Sequence, residues 1–236
     1  MDKQLRNAQV KFLKAFAKET SFFALAGGTA LELYYLKHRF SVDLDFFSPR
    51  YDIKEIDKII LSAQEAFSSK IVLENEFNTA GKAKVRFYTV KLEEVNRPLK
   101  IDFVEDVFLE KPIIKKFEGV SVYSAEDIYY QKIIAISGIV PQIDEIGRQI
   151  VIGRRKTRDV FDVYKLSKEV KPLSEFLKSV PQNFQRGMVH WYRTFSRKEF
   201  QLDFLDLDIY EKNIDAKKIV IYLEDQIKKF IADEIE

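Results

Sequence analysis

Two short segments, AGGTAL at residues 26–31 and VDLDFF at residues 42–47, decide how this chain folds. The first follows a short apolar run and predicts the end of a strand, a tight turn and the start of a helix. Paired glycines allow the backbone to turn sharply and to approach a ligand closely. We therefore expect Gly27, Gly28 and Thr29 to offer backbone N–H groups and a hydroxyl to an anion at the start of that helix.

The second segment places two carboxylates in an apolar run. Asp43 and Asp45 stand two residues apart among Val, Leu and Phe side chains, and on a strand such residues point to the same face. Aspartate is depleted in strands, and carboxylates in such a run need a cation or hydrogen-bond partners. Mg²⁺ typically takes one or two carboxylates together with substrate phosphates. A phosphate-binding turn beside a metal-binding pair predicts nucleotidyl transfer; the plainer alternative is a solvated pair on an edge strand.

Three motifs in this order resemble the signature of a known family. GGTAL at residues 27–31 comes first, His38-Arg39 follows as the basic end of the helix, and SVDLDFF at residues 41–47 completes the set. The set resembles the AbiEii/AbiGii-type nucleotidyltransferase toxins of the DNA polymerase β-like superfamily. The resemblance implies an α+β fold, in which a polymerase β-like core (a small mixed sheet with flanking helices) precedes an α-helical domain. It covers residues 20–166 and describes the remainder only as helical.

Composition sets limits on the class of protein. Hydrophobic residues make up 46% of the 236 residues and charged residues 32%, which favours a packed core over disorder. The formal net charge of +2 excludes a grossly basic surface but allows a local basic patch. Cysteine is absent from the sequence, which excludes disulfides and thiolate metal sites. No segment approaches the roughly 20 apolar residues of a membrane span. We therefore expect a soluble, cytoplasmic protein without a membrane partner.

Periodicity predicts the elements that follow the carboxylate strand. Asp52 is placed to cap a helix whose apolar positions recur at helical spacing from 53 to 67. The period then changes to that of strands over 70–77 and 82–91, which a hairpin-like turn joins. A further strand is expected over 99–104, entered after a proline.

Asp102 supplies a third carboxylate on the last of these strands. It lies between Ile101 and Phe103, again an unfavourable place for a carboxylate without a partner. Beside Asp43 and Asp45 it would complete a site for two Mg²⁺ ions, with Mn²⁺ as a substitute, and could accept the proton of an attacking hydroxyl. The alternative is an isolated strand aspartate. The family also places its third carboxylate on such a strand, so the resemblance implies the same role.

The composition becomes helical after a short strand predicted over 120–123. Ser124 and Asp127 have the spacing of a capping box, and the stretch 138–153 is expected to be a loop or irregular. We place a boundary near residue 120. Residues 1–120 would form the nucleotidyltransferase catalytic domain, and residues 121–236 a helical domain that contributes the second half of the active site.

A second group of charged residues falls in the helical part. Asp159 and Asp162 share a helix face, and Arg158 is four residues from Asp162, so an ordinary solvated salt bridge is one interpretation. The family carries a helical lysine followed by an Arg-Asp-x-x-Asp run, which here corresponds to Lys132 and Arg158-Asp159-Val160-Phe161-Asp162. The resemblance implies that Lys132, Arg158, Asp159 and Asp162 bind nucleotide or substrate. By its chemistry, Lys132 would be a point charge for a triphosphate.

These observations lead to one main hypothesis. An acceptor hydroxyl would attack the α-phosphorus of a nucleoside triphosphate, with Asp43, Asp45 and Asp102 as metal ligands and catalytic carboxylates. The resemblance implies the toxin of a toxin–antitoxin or phage-defence system, an RNA acceptor such as tRNA, and a cognate antitoxin as partner. Two alternatives stay open: nucleotidylation of a protein or small molecule, and a catalytically idle nucleotide sensor or partner-binding module.

Overall fold

The computed structural model describes residues 2–79, 81–93, 97–138, 141–143, 149–151, 153–154 and 156–234. The chain divides into two compact units. The first comprises residues 1–35 and 40–127, and the second comprises residues 36–39 and 128–236. The chain thus contributes residues 36–39 to the second unit and continues in the first unit from residue 40, just before the strand that carries Asp43.

The first unit is built around a seven-stranded mixed sheet. Its strand order is β3-β4-β5-β2-β1-β7-β6, where the β2–β5 and β1–β7 pairs are parallel and the other neighbours are antiparallel. The elements are α1 (Lys3–Phe16), β1 (Ala24–Ala26), α2 (Gly27–Ala30) continued by a π-helix (Leu31–Leu36), β2 (Asp43–Ser48), α3 (Ile53–Gln64), β3 (Ile71–Phe77), β4 (Val85–Val90), β5 (Leu99–Glu105), β6 (Ile114–Phe117) and β7 (Val120–Tyr123).

One face of this sheet forms the core of the first unit. Alternate residues of β2 and β5 are fully buried there, because a strand presents every second side chain to the same face. Phe46 stacks on Phe103 with ring centroids 5.2 Å apart, and Phe16 of α1 lies 4.5 Å from Phe46. Burial of these aromatic side chains is the main contribution that determines which face of each strand packs in the core. The residues between them are consequently directed to the opposite face.

Most elements predicted for the first unit are confirmed. The Asp52 carboxylate accepts a hydrogen bond from the Lys54 N–H and caps α3, and β3 and β4 form the predicted antiparallel pair. The strand β6 was not predicted, since its sequence IKKF shows no alternation of apolar and polar residues. The predicted capping box is half formed. The Ser124 hydroxyl accepts from the Asp127 N–H, but the Ser124 N–H donates to the Ile113 carbonyl instead of to Asp127.

The second unit is mainly helical. A two-stranded antiparallel pair interrupts the helices within the stretch 138–153, which was expected to be irregular. Within the described parts of the chain, no helix combines the length and the apolar character needed to cross a lipid bilayer. The elements are α4 (Ala125–Ser137), which begins in the last residues of the first unit, β8 (Pro141–Ile143), β9 (Gln149–Val151), α5 (Thr157–Glu169), α6 (Leu173–Leu177), α7 (Gln182–Thr194), α8 (Arg197–Phe204) and α9 (Ala216–Asp233).

Candidate active site

Three carboxylates lie on the open face of the sheet in the first unit. Asp45 of β2 stands directly beside Asp102 of β5 in the parallel register. Neighbouring strands are about 4.8 Å apart, and in-register residues point to the same face. Asp43 precedes Asp45 by two residues and therefore shares that face. All three side chains are partly exposed, while Leu44 between the first two is fully buried.

The glycine turn is fitted against this row of carboxylates. Gly27 has φ +66°, a left-handed conformation that favours glycine. A Cβ atom at this position would lie 2.5 Å from Oδ2 of Asp45. The backbone of the turn thus approaches the carboxylate more closely than any other residue type would allow. The sequence predicted that a ligand would approach this turn closely. In the structure, the Asp45 carboxylate lies against it.

Thr29 connects the turn to the carboxylate strand. Its side chain is fully buried, and its hydroxyl donates a short hydrogen bond to the main-chain carbonyl of Asp43. This contact holds the start of α2 against the start of β2. A phosphate contact from this turn would therefore come from backbone N–H groups, and the hydroxyl that was expected to assist is already engaged.

The donor chemistry of this row fits a hard divalent cation. Two in-register carboxylates provide the one or two oxygen ligands that Mg²⁺ usually takes from protein, with the remaining positions left to water and phosphate. Like charges this close repel each other, and a cation between them removes that repulsion. In the described part of the chain, however, no three His, Cys, Asp or Glu side chains are arranged to ligate one ion as they stand. The fit therefore rests on the pair Asp45 and Asp102, with Asp43 beside them.

A separate network of buried charges lies within the second unit. Asp162 accepts two hydrogen bonds from the Arg39 guanidinium, each 2.7 Å long, and lies 2.7 Å from Nε2 of His38. Nζ of Lys132 lies 2.8 Å from Asp162 and 2.5 Å from Asp159. Asp162 is fully buried, and the other four residues are also buried.

The charges of this network determine one another's ionisation. Burial by itself would raise the pKa of Asp162, but the positive charges of Arg39 and Lys132 and the hydrogen bonds from His38 and Arg39 outweigh it, and its pKa lies well below the usual range. Burial likewise opposes the charge of Lys132, yet the neighbouring Asp159 and Asp162 raise its pKa. Asp162 is therefore held ionised and Lys132 protonated at neutral pH.

The structure gives a mixed result for the second group of predicted site residues. It brings Lys132, Asp159 and Asp162 together, as the resemblance implies, and places them in a dry network rather than on a solvated helix face. Arg158 is partly exposed on the same helix. His38 and Arg39 were expected to be the basic end of the helix that follows the glycine turn, but that helix ends at Leu36 and both residues are buried. Only their place in the family signature pointed to a further role.

Replacing Gly27 with alanine tests the fit between turn and carboxylate. We expect a loss of transfer activity of about 100-fold, because the new Cβ must displace the Asp45 carboxylate and small misplacements of reacting groups have effects of this size. Gly81→Ala is the matched control. Gly81 has a similar φ of +78° but no atom within 4 Å of its added Cβ, so it reproduces the backbone strain of about 1–2 kcal/mol without the contact. Equal activity losses in the two variants would contradict the proposed fit.

The fold and the carboxylate row have the features expected of a nucleotidyltransferase. The sequence profile of the family described as "Nucleotidyl transferase AbiEii toxin, Type IV TA system" matches residues 11–228. The chain belongs to this AbiEii family of nucleotidyltransferase toxins from type IV toxin–antitoxin systems. Membership implies an antitoxin partner.

Solved structures show the same fold. A candidate nucleotidyltransferase from H. pylori is similar with a TM-score of 0.60 and 18% sequence identity, over 100% of this chain and 99% of that chain. JHP933 from Helicobacter pylori is similar with a TM-score of 0.57 and 19% identity, over 99% of this chain and 94% of that chain. No protein with a curated description matches the sequence significantly.

Proposed function

We propose that this protein transfers a nucleoside monophosphate from a nucleoside triphosphate to a hydroxyl of RNA, tRNA in particular, with Mg²⁺ as cofactor. The observation that carries the proposal is the register of Asp45 beside Asp102, with Gly27 against Asp45. Gly27, Asp45 and Asp102 are therefore neighbours at this sheet, which supports a phosphate-binding turn beside metal-binding carboxylates and a proton acceptor. The proposed substrates locate the reaction in the cytoplasm.

Each residue of the row has a defined part in the proposed reaction. The acceptor oxygen bonds to the α-phosphorus as the bond from that phosphorus to the bridging oxygen breaks, and pyrophosphate leaves. Asp102 accepts the proton of the attacking hydroxyl. Asp43, Asp45 and Asp102 would hold Mg²⁺, which when bound would neutralise the phosphates and polarise the α-phosphoryl group. Backbone N–H groups of Gly27 and Gly28 bind the leaving phosphates.

The nucleotide-binding role of the second group stays a prediction. Lys132, Arg158, Asp159 and Asp162 were assigned to nucleotide by the resemblance alone. The ammonium of Lys132 is already paired with two buried carboxylates, which gives Asp159 and Asp162 a clear part in orienting that lysine. We include Arg158 as the partly exposed cation of this group that would meet a phosphate or a sugar.

The first test is transfer of label from each of the four nucleoside triphosphates, labelled at the α-phosphate, into total tRNA with Mg²⁺. We expect one nucleotide to label RNA with the wild type and not with Asp43→Ala. The same nucleotide labelled at the γ-phosphate should release labelled pyrophosphate and leave the RNA unlabelled. Label in RNA from the γ-position would instead indicate a kinase.

Two other outcomes would reject the proposed acceptor. Label that enters a protein or a small molecule, but not RNA, would support the alternative acceptor class. Nucleotide binding without transfer to any acceptor would support an idle sensor. Omission of Mg²⁺ together with a chelator should abolish transfer, and full activity under those conditions would contradict the cofactor.

A further inference from the structure

A pair of aromatic side chains lies next to Asp102 on the carboxylate face. Phe87 of β4 stands directly opposite Asp102 in the antiparallel register, and directly opposite side chains share a face. Phe77 of β3 packs edge-on against Phe87, with ring centroids 5.8 Å apart and an interplanar angle of 85°. The Phe77 side chain is nevertheless 51% exposed. An aromatic surface therefore stands open beside a catalytic candidate.

The aromatic pair continues as an apolar strip along the same face. Phe77 is in register with Val85, and Val85 with Val104. Val104 is in turn in register with Phe47 of β2. All of these side chains are partly or largely exposed. Exposed apolar side chains that adjoin one another, rather than standing singly, mark binding surfaces.

The order of the strands assigns the strip to one side of the reaction. Asp45 lies between the glycine turn on one side and Asp102 on the other. In the proposed reaction the leaving phosphates bind to the glycine turn, and the attacking hydroxyl lies beside Asp102. Phe87 lies beyond Asp102, on the side away from Gly27. The strip therefore faces the acceptor rather than the nucleoside triphosphate.

The charges on this face indicate which part of an acceptor would bind. Besides the three candidate catalytic aspartates, this face carries a fourth acidic residue, Glu74. Its carboxylate accepts a 2.5 Å hydrogen bond from the Thr89 hydroxyl of β4. Lys100, in register with Asp43 and Thr89, is the exposed cation among these neighbours. Such a face repels a run of phosphates but offers a flat apolar surface, and every nucleobase can stack on an aromatic ring.

We propose that Phe77 and Phe87 form a stacking platform for the terminal nucleobase of the acceptor RNA, with Lys100 as its single phosphate contact. This inference rests on the proposed function and adds the acceptor subsite to it. It assigns recognition to one or two unpaired nucleotides at the end of the RNA. Because stacking depends little on the kind of base, the platform selects an unpaired end and not a sequence.

The test compares Phe77→Ala with the wild type and with two further variants. We expect KM for tRNA to rise about tenfold or more in Phe77→Ala, since truncation of one stacking ring has effects of this order, while KM for the nucleoside triphosphate stays unchanged. Phe77→Tyr keeps a ring and should restore the wild-type KM. Phe22→Ala is the matched control. Phe22 is similarly exposed at 54%, but its ring packs on Arg50. It precedes β1, at the end of that strand away from Gly27.

A binding measurement separates the platform from catalysis. RNA with 2-aminopurine as its terminal base is added to the Asp45→Asn variant, and stacking should quench its fluorescence. The double variant with Asp45→Asn and Phe77→Ala should show no quenching. The double variant with Asp45→Asn and Phe22→Ala should quench the fluorescence as Asp45→Asn does.

The outcomes distinguish this inference from the proposed function. Transfer to RNA that is unaffected by Phe77→Ala would overturn the platform and leave the proposed function standing. A rise in KM for the nucleoside triphosphate alone would also overturn it, because the ring would then serve the other substrate. Wild-type protein that transfers nothing to RNA and quenches no terminal base would overturn both.

Discussion

Replacing Asp45 with asparagine is expected to lower kcat/KM for nucleotide transfer by about 10³-fold or more, with the fold retained. Asparagine keeps the shape that fits against Gly27 but removes the charge that is proposed to hold Mg²⁺ beside Asp102. A bound metal supplies several kcal/mol of transition-state stabilisation, and each ~1.4 kcal/mol is a factor of ten in rate. Asp43→Ala should have an effect of the same order. Initial rates with the labelled nucleotide and tRNA measure both.

The chain contains a matched control for these variants. Asp206-Leu207-Asp208 repeats the tripeptide of residues 43–45, but it lies in a turn after α8 where Asp206 is exposed. Asp206→Asn should leave kcat/KM unchanged. Circular dichroism should show the same helix and strand content in Asp45→Asn as in the wild type, since the change relieves like-charge repulsion at a partly exposed position. Full activity of Asp45→Asn with saturating Mg²⁺ would remove Asp45 from the site.

Replacing Asp162 with asparagine is expected to destabilise the second unit by about 3–5 kcal/mol, the usual consequence of removing one partner from a buried ion pair. In the variant, Arg39 and Lys132 stay buried beside the neutral amide of the introduced asparagine. The NH₂ group of that amide cannot accept hydrogen bonds from these two cations. Trp191 is the only tryptophan of the sequence and is buried in α7, so its fluorescence follows the unfolding of this unit in urea. The unfolding midpoint should fall markedly.

The effect should depend on pH in a defined direction. The folded-state pKa of Asp162 is depressed, so its contribution to stability is present above the unfolded pKa of about 3.9 and is lost as pH falls below it. Lys132 has a raised pKa, and its contribution is lost only in strongly alkaline solution, above about pH 10.4. The difference in unfolding midpoint between wild type and Asp162→Asn should therefore be full at pH 7 and smaller at pH 3.

An exposed ion pair provides the comparison. Lys178 and Asp233 lie 2.7 Å apart in the same unit, but both side chains are well exposed. Asp233→Asn should leave the Trp191 transition almost unchanged, because solvent screens such pairs. Similar shifts for Asp162→Asn and Asp233→Asn would show that burial of the network contributes nothing to stability.

The network gives His38 and Arg39 a structural role. These two residues lie only a few positions before Asp43 and Asp45, yet they belong to the second unit and bind Asp162. Tertiary contacts within the second unit thus bury both side chains. The local sequence pattern predicted a basic helix end at His38 and Arg39, and the structure corrects that interpretation.

The sequence by itself determined the features that depend on near neighbours. The same-face placement of Asp43 and Asp45 follows from the two-residue period of a strand, and the cap at Asp52 follows from a side chain that reaches its own helix. The close turn at Gly27 follows from the freedom of glycine. All three are short-range effects, so the local residue pattern was sufficient to predict them.

Only the tertiary structure decided the features that join distant parts of the chain. The register of Asp45 beside Asp102 depends on how two parallel strands pair across the sheet, and no local pattern specifies that pairing. The burial of Lys132, Asp159 and Asp162 depends on Arg39 arriving from a segment far away in the sequence. A charge that looks solvated on a helix face becomes part of a dry network only when its partners are brought to it, because the free energy of burying it depends on those partners.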